Sequence, residues 1–334
     1  MAINRQFLLA ARPQGMVKTS DLEPTTVPRP TPADGEVLVQ VAYLSLDPSM
    51  RGQMENRADY VAPLEIGDLM RAGGVGYVVE SKHPEFPIGS LVGGTFGMQE
   101  FLVSNGSTPP LRRYPEGTDP QEALGMFGLT GMTAYFGMLR LGEPNAGETV
   151  VVSGAAGATG SVAGQLARIC GARVIGMAGS EEKCRWLTDT LGFDAAINYK
   201  TENVGDALTR LCPNGIDVYF DNVGGEILDL CLARIATNAR VVLCGGISRY
   251  NADGPIPGPK NYFNLVFRRA RMEGFIVLDY EAEFSDAISE MRGWSAAGKL
   301  QQAVTVIDGF ERLPDALVGL FQGVNTGKLM VRVS

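Results

Sequence analysis

The sequence predicts an α/β protein of two domains, one β-rich and one built on a doubly wound parallel sheet. Three observations carry that prediction. Residues 149–160, T-V-V-V-S-G-A-A-G-A-T-G, take an apolar run into glycines at 154, 157 and 160 and then into a helical pattern. From about residue 123 onward, short apolar strands alternate with helical segments. Before residue 106, partly alternating strands are separated by Gly and Pro turns, which is the habit of a small β domain. A chain of 334 residues has room for about two such domains.

Taken in order, residues 7–11 are apolar and V-P-R-P-T-P at 27–32 lies extended along a sheet edge. Residues 36–45 alternate and form a strand, followed by L-D-P-S-M-R-G at 46–52. Further strands are expected at 74–80 and around 91–101. The stretch 106–120 sustains neither helix nor strand and is the best internal boundary. Residues 121–141 read as helical segments punctuated by Gly125, Gly128 and Gly131. Val150, Val151 and Val152 are β-branched and too few for a helix, so they form a buried strand. After them Val162, Gln165, Leu166 and Ile169 share one helix face, with Ala163, Gly164 and Ala167 small enough to pack on a sheet. Strands follow at 173–178, 195–199, 216–222, 240–244 and 272–278, with helices near 181–191, 202–211, 226–235 and 281–297. The tail, with strands at 303–307 and 328–333 around a helix at 314–322, is expected to rejoin the front domain. The domains are therefore 1–122 with 294–334, and 123–293.

The glycine turn has the chemistry of a pyrophosphate cradle. Without Cβ atoms a ligand can approach the backbone, and the amino end of the following helix offers unpaired N–H groups and partial positive charge. The spacing G-x-x-G-x-x-G departs from the familiar G-x-G-x-x-G, so a plain tight turn is the alternative at this stage. The next strand ends in Gly179 and Ser180, with no carboxylate where one would hold a ribose hydroxyl and repel a 2′-phosphate. Ser180 and Lys183 suit a phosphomonoester instead, which makes the expected cofactor NADP(H). The alternative for Lys183 is one solvated charge in E-E-K.

Composition narrows the partners. Lys and Arg number 29 against 37 Asp and Glu, a net charge of −8, and basic residues cluster only in pairs such as Arg112-Arg113 and Arg268-Arg269. Nucleic acid and anionic membranes are poor partners for such a chain. The five cysteines, from Cys170 to Cys244, are irregularly spaced without a C-x-x-C pair and read as reduced thiols. The first apolar run breaks at Arg12, too early for a signal peptide, and no stretch is long enough to span a bilayer, so cytoplasm is expected. The single histidine is His83 and no cysteine precedes Cys170, so the front domain lacks the ligands of a catalytic zinc; no metal is expected.

Beyond these readings, the β-rich front, G-E-T-V-V-V-S-G-A-A-G-A-T-G-S-V-A-G-Q-L-A, F-D-N-V-G-G, C-G-G-I-S-R-Y-N and the closing N-T-G-K together resemble the zinc-free medium-chain reductases. That family includes prostaglandin reductases, plant alkenal double-bond reductases and bacterial curcumin reductases. The likeness runs from N-R-Q at 4–6 to G-K at 327–328. It implies a GroES-like β-rich catalytic domain, a Rossmann NADP-binding domain, a site in the cleft between them, and a homodimer. It implies hydride transfer from NADPH to the β-carbon of an α,β-unsaturated ketone or aldehyde, with donors stabilising the enolate oxygen. Carried over residue by residue, Tyr250 and Tyr60 stand beside substrate. Gly157, Ala158, Thr159 and Gly160 hold pyrophosphate, while Ser180, Lys183 and Tyr199 take the 2′-phosphate. Asn222, Cys244 and Gly245 end strands that meet the cofactor, and Thr133, the backbone of Phe275 to Val277, and Asn325 lie near nicotinamide. Each has a plainer alternative: Tyr60 as a packing aromatic, Tyr250 as a loop aromatic, Thr133 facing a helix, Asn325 turning the chain. Two departures stand out, Ser49 where the family commonly has tyrosine, and Leu129-Thr130-Gly131 where many members have M-P-G. A quinone reductase of the same superfamily and a NADPH-binding protein without catalysis are the rival functions.

Overall fold

The computed structural model describes residues 2–56, 61–252 and 254–334. Fifteen strands are found among the described residues. In chain order they are β1 (Ile3–Leu9), β2 (Leu22–Pro28), β3 (Val37–Ser45), β4 (Gly73–Ser81), β5 (Leu91–Thr95), β6 (Phe101–Ser104), β7 (Leu111–Arg113), β8 (Thr149–Val152), β9 (Arg173–Ala178), β10 (Ala195–Asn198), β11 (Ile216–Asp221), β12 (Ile235–Leu243), β13 (Arg271–Gly274), β14 (Val304–Asp308) and β15 (Lys328–Arg332). The chain divides into two compact units, Met1–Gly125 with Val304–Ser334, and Met126–Ala303. None of the helices among the described residues is long and apolar enough to cross a membrane.

The first unit is β-rich. A seven-stranded sheet runs β14-β15-β3-β4-β5-β7, with β6 also paired to β3, and β1 and β2 form a separate antiparallel pair. Alternation in β3 explains its place at the centre: Val37, Val39 and Val41 enter a core with Leu9, Phe96, Leu317 and Val331. The opposite face buries Val75, Leu91 and Met330 under Ala123 and Leu124. The Lys of N-T-G-K is structural here. Lys328 is buried, and its ammonium donates to the Asp47 carboxylate at 2.5 Å, tying β15 to the D-P-S-M-R turn.

In the second unit every strand pairing is parallel, in the order β10-β9-β8-β11-β12-β13. The sheet is buried on both faces, and period two sorts its side chains: Val150, Val152, Val174, Val218, Phe220 and Val242 enter one core, Val151, Ile175, Met177, Tyr219 and Val241 the other. This strand order reverses between β8 and β11. In sheets of this kind ligands bind at such a reversal, in the crevice outside the carboxyl ends of the strands.

Two expectations fail in detail. The stretch 106–120 does contain a strand, β7, paired with β5. The strand expected over 272–278 stops at Gly274, and Val277–Glu283 is a 3₁₀ helix. There the chain leaves the sheet so that Tyr280 stacks on Phe136, ring centroids 4.6 Å apart.

Candidate active site

The turn after β8 begins at Ser153 and enters helix Ala158–Ile169. Gly154 adopts the left-handed conformation, φ 59°, and the Gly157 N–H donates back to the Gly154 carbonyl at 3.0 Å. The helix then lies directly on the turn: a Cβ at Gly160 would stand 2.4 Å from the Gly154 carbonyl oxygen and 2.9 Å from the Ala155 Cα. Alanine does not fit there without moving backbone. The helix has no side-chain cap and no acidic residue in its first turn, so the N–H groups of Ala158, Thr159 and Gly160 face no competing carboxylate from that turn.

A second cluster forms where β9 and β10 end. Ser180 caps helix Glu181–Arg185, its hydroxyl accepting from the Lys183 N–H at 3.2 Å. Tyr199 and Lys200 close over Gly179: a Cβ there would lie 2.6 Å from the Tyr199 hydroxyl and 3.2 Å from the Lys200 Cε. Burial lowers the Lys183 pKa, and the nearby Lys200 ammonium lowers it further, with Glu182 opposing. Two ammonium groups held close enough to repel make a place for a dianion. Lys200 is absent from the sequence-derived assignments, although N-Y-K placed it beside Tyr199.

The third cluster is the end of β11 with the loop after β12. Asn222 bridges to the cradle, its backbone N–H donating to the Ser153 hydroxyl at 3.0 Å and its side-chain amide to the Ser153 carbonyl at 2.7 Å. Cys244 and Gly245 both donate backbone N–H to the Asp221 carbonyl. Burial pushes the Cys244 thiol up to about 12, with the Asp221 charge adding, so it is neutral and a poor nucleophile near pH 7. Tyr250 ends the short helix Ile247–Tyr250, and its hydroxyl accepts the Gly246 N–H at 3.2 Å. Because that bond uses an oxygen lone pair, the phenolic hydrogen is left to donate elsewhere. Burial raises the phenol's pKa against the lowering effect of the Gly246 N–H, and the group stays protonated.

The remaining assigned residues within the described ranges have local partners of their own. The Thr133 hydroxyl donates to the Leu129 carbonyl at 2.7 Å within its own helix. Phe275 packs close to Gly137, and Val277 is buried in the same core as Phe220. Asn325 belongs to the β-rich unit, where its amide donates to the Gly327 carbonyl at 2.7 Å. Tyr60 lies outside the described residues. Sequence reasoning missed Ser153 and Asp221 as organisers of the crevice; the acid ending an apolar strand in Y-F-D was the available signal.

Comparison with known proteins decides what this geometry belongs to. A family model described as the N-terminal domain of oxidoreductase matches residues 5–110, and one described as zinc-binding dehydrogenase matches 158–293. The chain is 46% identical to the putative NADP-dependent oxidoreductase YfmJ of Bacillus subtilis, over 100% of this chain and 98% of the relative. The NADPH-dependent curcumin reductase of Escherichia coli is 38% identical, covering 99% and 97%. CurA from Vibrio vulnificus, solved in complex with NADPH, superposes with a TM-score of 0.94 at 40% identity, with 99% of each chain covered. The chain belongs to the zinc-independent, NADP-dependent medium-chain reductases.

The family name and this chain's residues agree on the cofactor. An uncapped helix behind a glycine turn, a β9 end without a carboxylate, and paired lysines beside Tyr199 fit a pyrophosphate and a 2′-phosphate. For metal the fit is poor despite the wording of the second family model: no group of three or more His, Cys, Asp or Glu among the described residues could hold an ion.

Proposed function

We propose that this medium-chain reductase uses NADPH to reduce the carbon–carbon double bond of α,β-unsaturated ketones and aldehydes. The observation that carries the reading is Tyr250: a neutral phenol whose oxygen is engaged by Gly246 and whose hydrogen has no acceptor among the described residues, on the loop tied to the cradle through Asn222. The cofactor supplies a hydride to the β-carbon when bound. Tyr250 donates to the carbonyl oxygen, where the π electrons of the C=C–C=O system arrive as the β C–H bond forms. Protonation of the α-carbon then completes a saturated carbonyl product. The cradle glycines admit the pyrophosphate, and Ser180, Lys183, Tyr199 and Lys200 select the phosphorylated cofactor. The test is NADPH oxidation with a panel of enones, enals and quinones, repeated with NADH, with products identified. Saturated carbonyls formed with a strong NADPH preference support the reading. Quinols alone, or tight NADPH binding without turnover, would overturn it.

The same reading includes a homodimer joined through β13. This strand is an edge of the six-stranded sheet, and the segments just before it expose Tyr262, Phe263, Val266 and Phe267. An antiparallel pairing of two copies centred on Met272 sets Arg271 opposite Glu273 of the partner subunit, and the reverse, across a two-fold axis. Glu273→Arg would place like charges opposite one another. Light scattering is expected to show a dimer for the parent, a shift to monomer for Glu273→Arg, and recovery in Arg271→Glu/Glu273→Arg; a variant that stays dimeric rules this pairing out.

A further inference from the structure

The Asp221 carboxylate, 1% exposed at the end of β11, has no role in the mechanism above yet is the most heavily used acceptor in the crevice. Its Oδ1 accepts from the Tyr219 hydroxyl at 2.7 Å, the Ser153 hydroxyl at 3.0 Å, and the backbone N–H groups of Val223 and Gly224 at 3.0 and 2.9 Å. Its Oδ2 has no hydrogen-bond partner among the described residues. Four donors on one oxygen fix the turn that follows. Gly224 and Gly225 continue that turn at φ 72° and 60°, values open to glycine.

What the turn holds is the Tyr250 loop. The carbonyl of Asn222 accepts the Ile247 N–H at 3.2 Å, and the carbonyl of Val223 accepts the Ser248 N–H at 3.2 Å and the Ser248 hydroxyl at 2.6 Å. Through Ser153 the same carboxylate reaches the first residue of the cradle. We infer that Asp221 is a positioning residue, locking the Tyr250 loop to the cradle so that the phenol is aimed independently of cofactor affinity. The kinetic half of this inference rests on the proposed enone reduction; the structural half does not.

The test uses the full chain with Asp221→Ala and Asp221→Asn, and measures hydrogen exchange of residues 244–251, NADPH dissociation constants and kcat. In Asp221→Ala, exchange at the Ile247 and Ser248 amides is expected to rise about tenfold or more, since their acceptors are no longer held. Its kcat is expected to fall as far as in Tyr250→Phe, with NADPH affinity within about threefold, and the double variant no worse than either single one. Asp221→Asn retains an acceptor at the Oδ1 position and is expected to restore most of the protection and the rate. Should Asp221→Ala fail to fold, Ser248→Ala cuts the loop side of the link from an exposed position and is expected to raise exchange at the same two amides. Unchanged exchange in 244–251, or losses that multiply in the double variant, would overturn the inference. If exchange rises while the parent reduces no enone, the positioning role stands and the functional reading falls.

Discussion

Tyr250→Phe is expected to lower kcat for enone reduction by about a hundredfold, the usual cost of removing one preorganised donor to a developing oxyanion. The change deletes one oxygen and preserves the ring, so the loop keeps its packing. The Gly246 N–H loses its acceptor, which costs local stability without touching the cradle. NADPH affinity is therefore expected to stay within about threefold, and the loss falls on kcat rather than on cofactor binding. The pH dependence has a definite sign. A phenol donates only while protonated, and burial raises the Tyr250 pKa, so the active form is complete at neutral pH and persists into more alkaline solution than for an exposed tyrosine. The difference between parent and Tyr250→Phe should accordingly be flat from about pH 6 to 9, well below the ordinary tyrosine value. Steady-state rates with one enone across that range check both points. A variant retaining most of its kcat would remove Tyr250 from the chemistry.

The parallel sheet was legible because burial on both faces leaves runs such as V-V-V and V-Y-F that have no competing explanation, and glycines mark the turn at Gly154. The elements that escaped notice are those whose cause is tertiary. Leu-Arg-Arg at 111–113 has no strand pattern of its own, and it becomes β7 by pairing with Val92, Gly93 and Gly94 of β5. Phe-Ile-Val-Leu at 275–278 has every strand propensity, yet Phe275 and Val277 are drawn into the core beside Phe220 and the backbone leaves the ladder. At the site, Ser180 announces itself by ending a strand without an acid. Asp221 and Lys200 carry only a local hint, the acid of Y-F-D and the lysine of N-Y-K, because their importance comes from neighbours distant in sequence: Ser153 lies 68 residues from Asp221, and Lys200 matters through Lys183 and Gly179.

Lys183→Ala is expected to weaken NADPH binding by about ten- to a hundredfold, the worth of one charge-assisted hydrogen bond to a phosphate, and to leave NADH within about twofold. Lys183 is half-buried and its pKa is lowered, first by desolvation and then by Lys200. A 2′-phosphate bound beside the two ammonium groups would offset both effects by adding negative charge to that of Glu182, so binding is linked to protonation. As pH rises through the lowered pKa of the free protein, part of the Lys183 population loses its charge, and NADPH affinity falls before an ordinary lysine would titrate; NADH affinity should not follow. Lys200→Ala removes a contact but also relieves the repulsion on Lys183, whose pKa then rises, so this variant is expected to lose less than Lys183→Ala. The double variant should discriminate least between the two cofactors, since Ser180 and Tyr199 alone carry no charge to match the phosphate. Titrations of both cofactors at two pH values, by quenching of protein fluorescence, separate these cases. Equal losses for NADPH and NADH would mean that Lys183 supports the fold of the β9 end and not the phosphate.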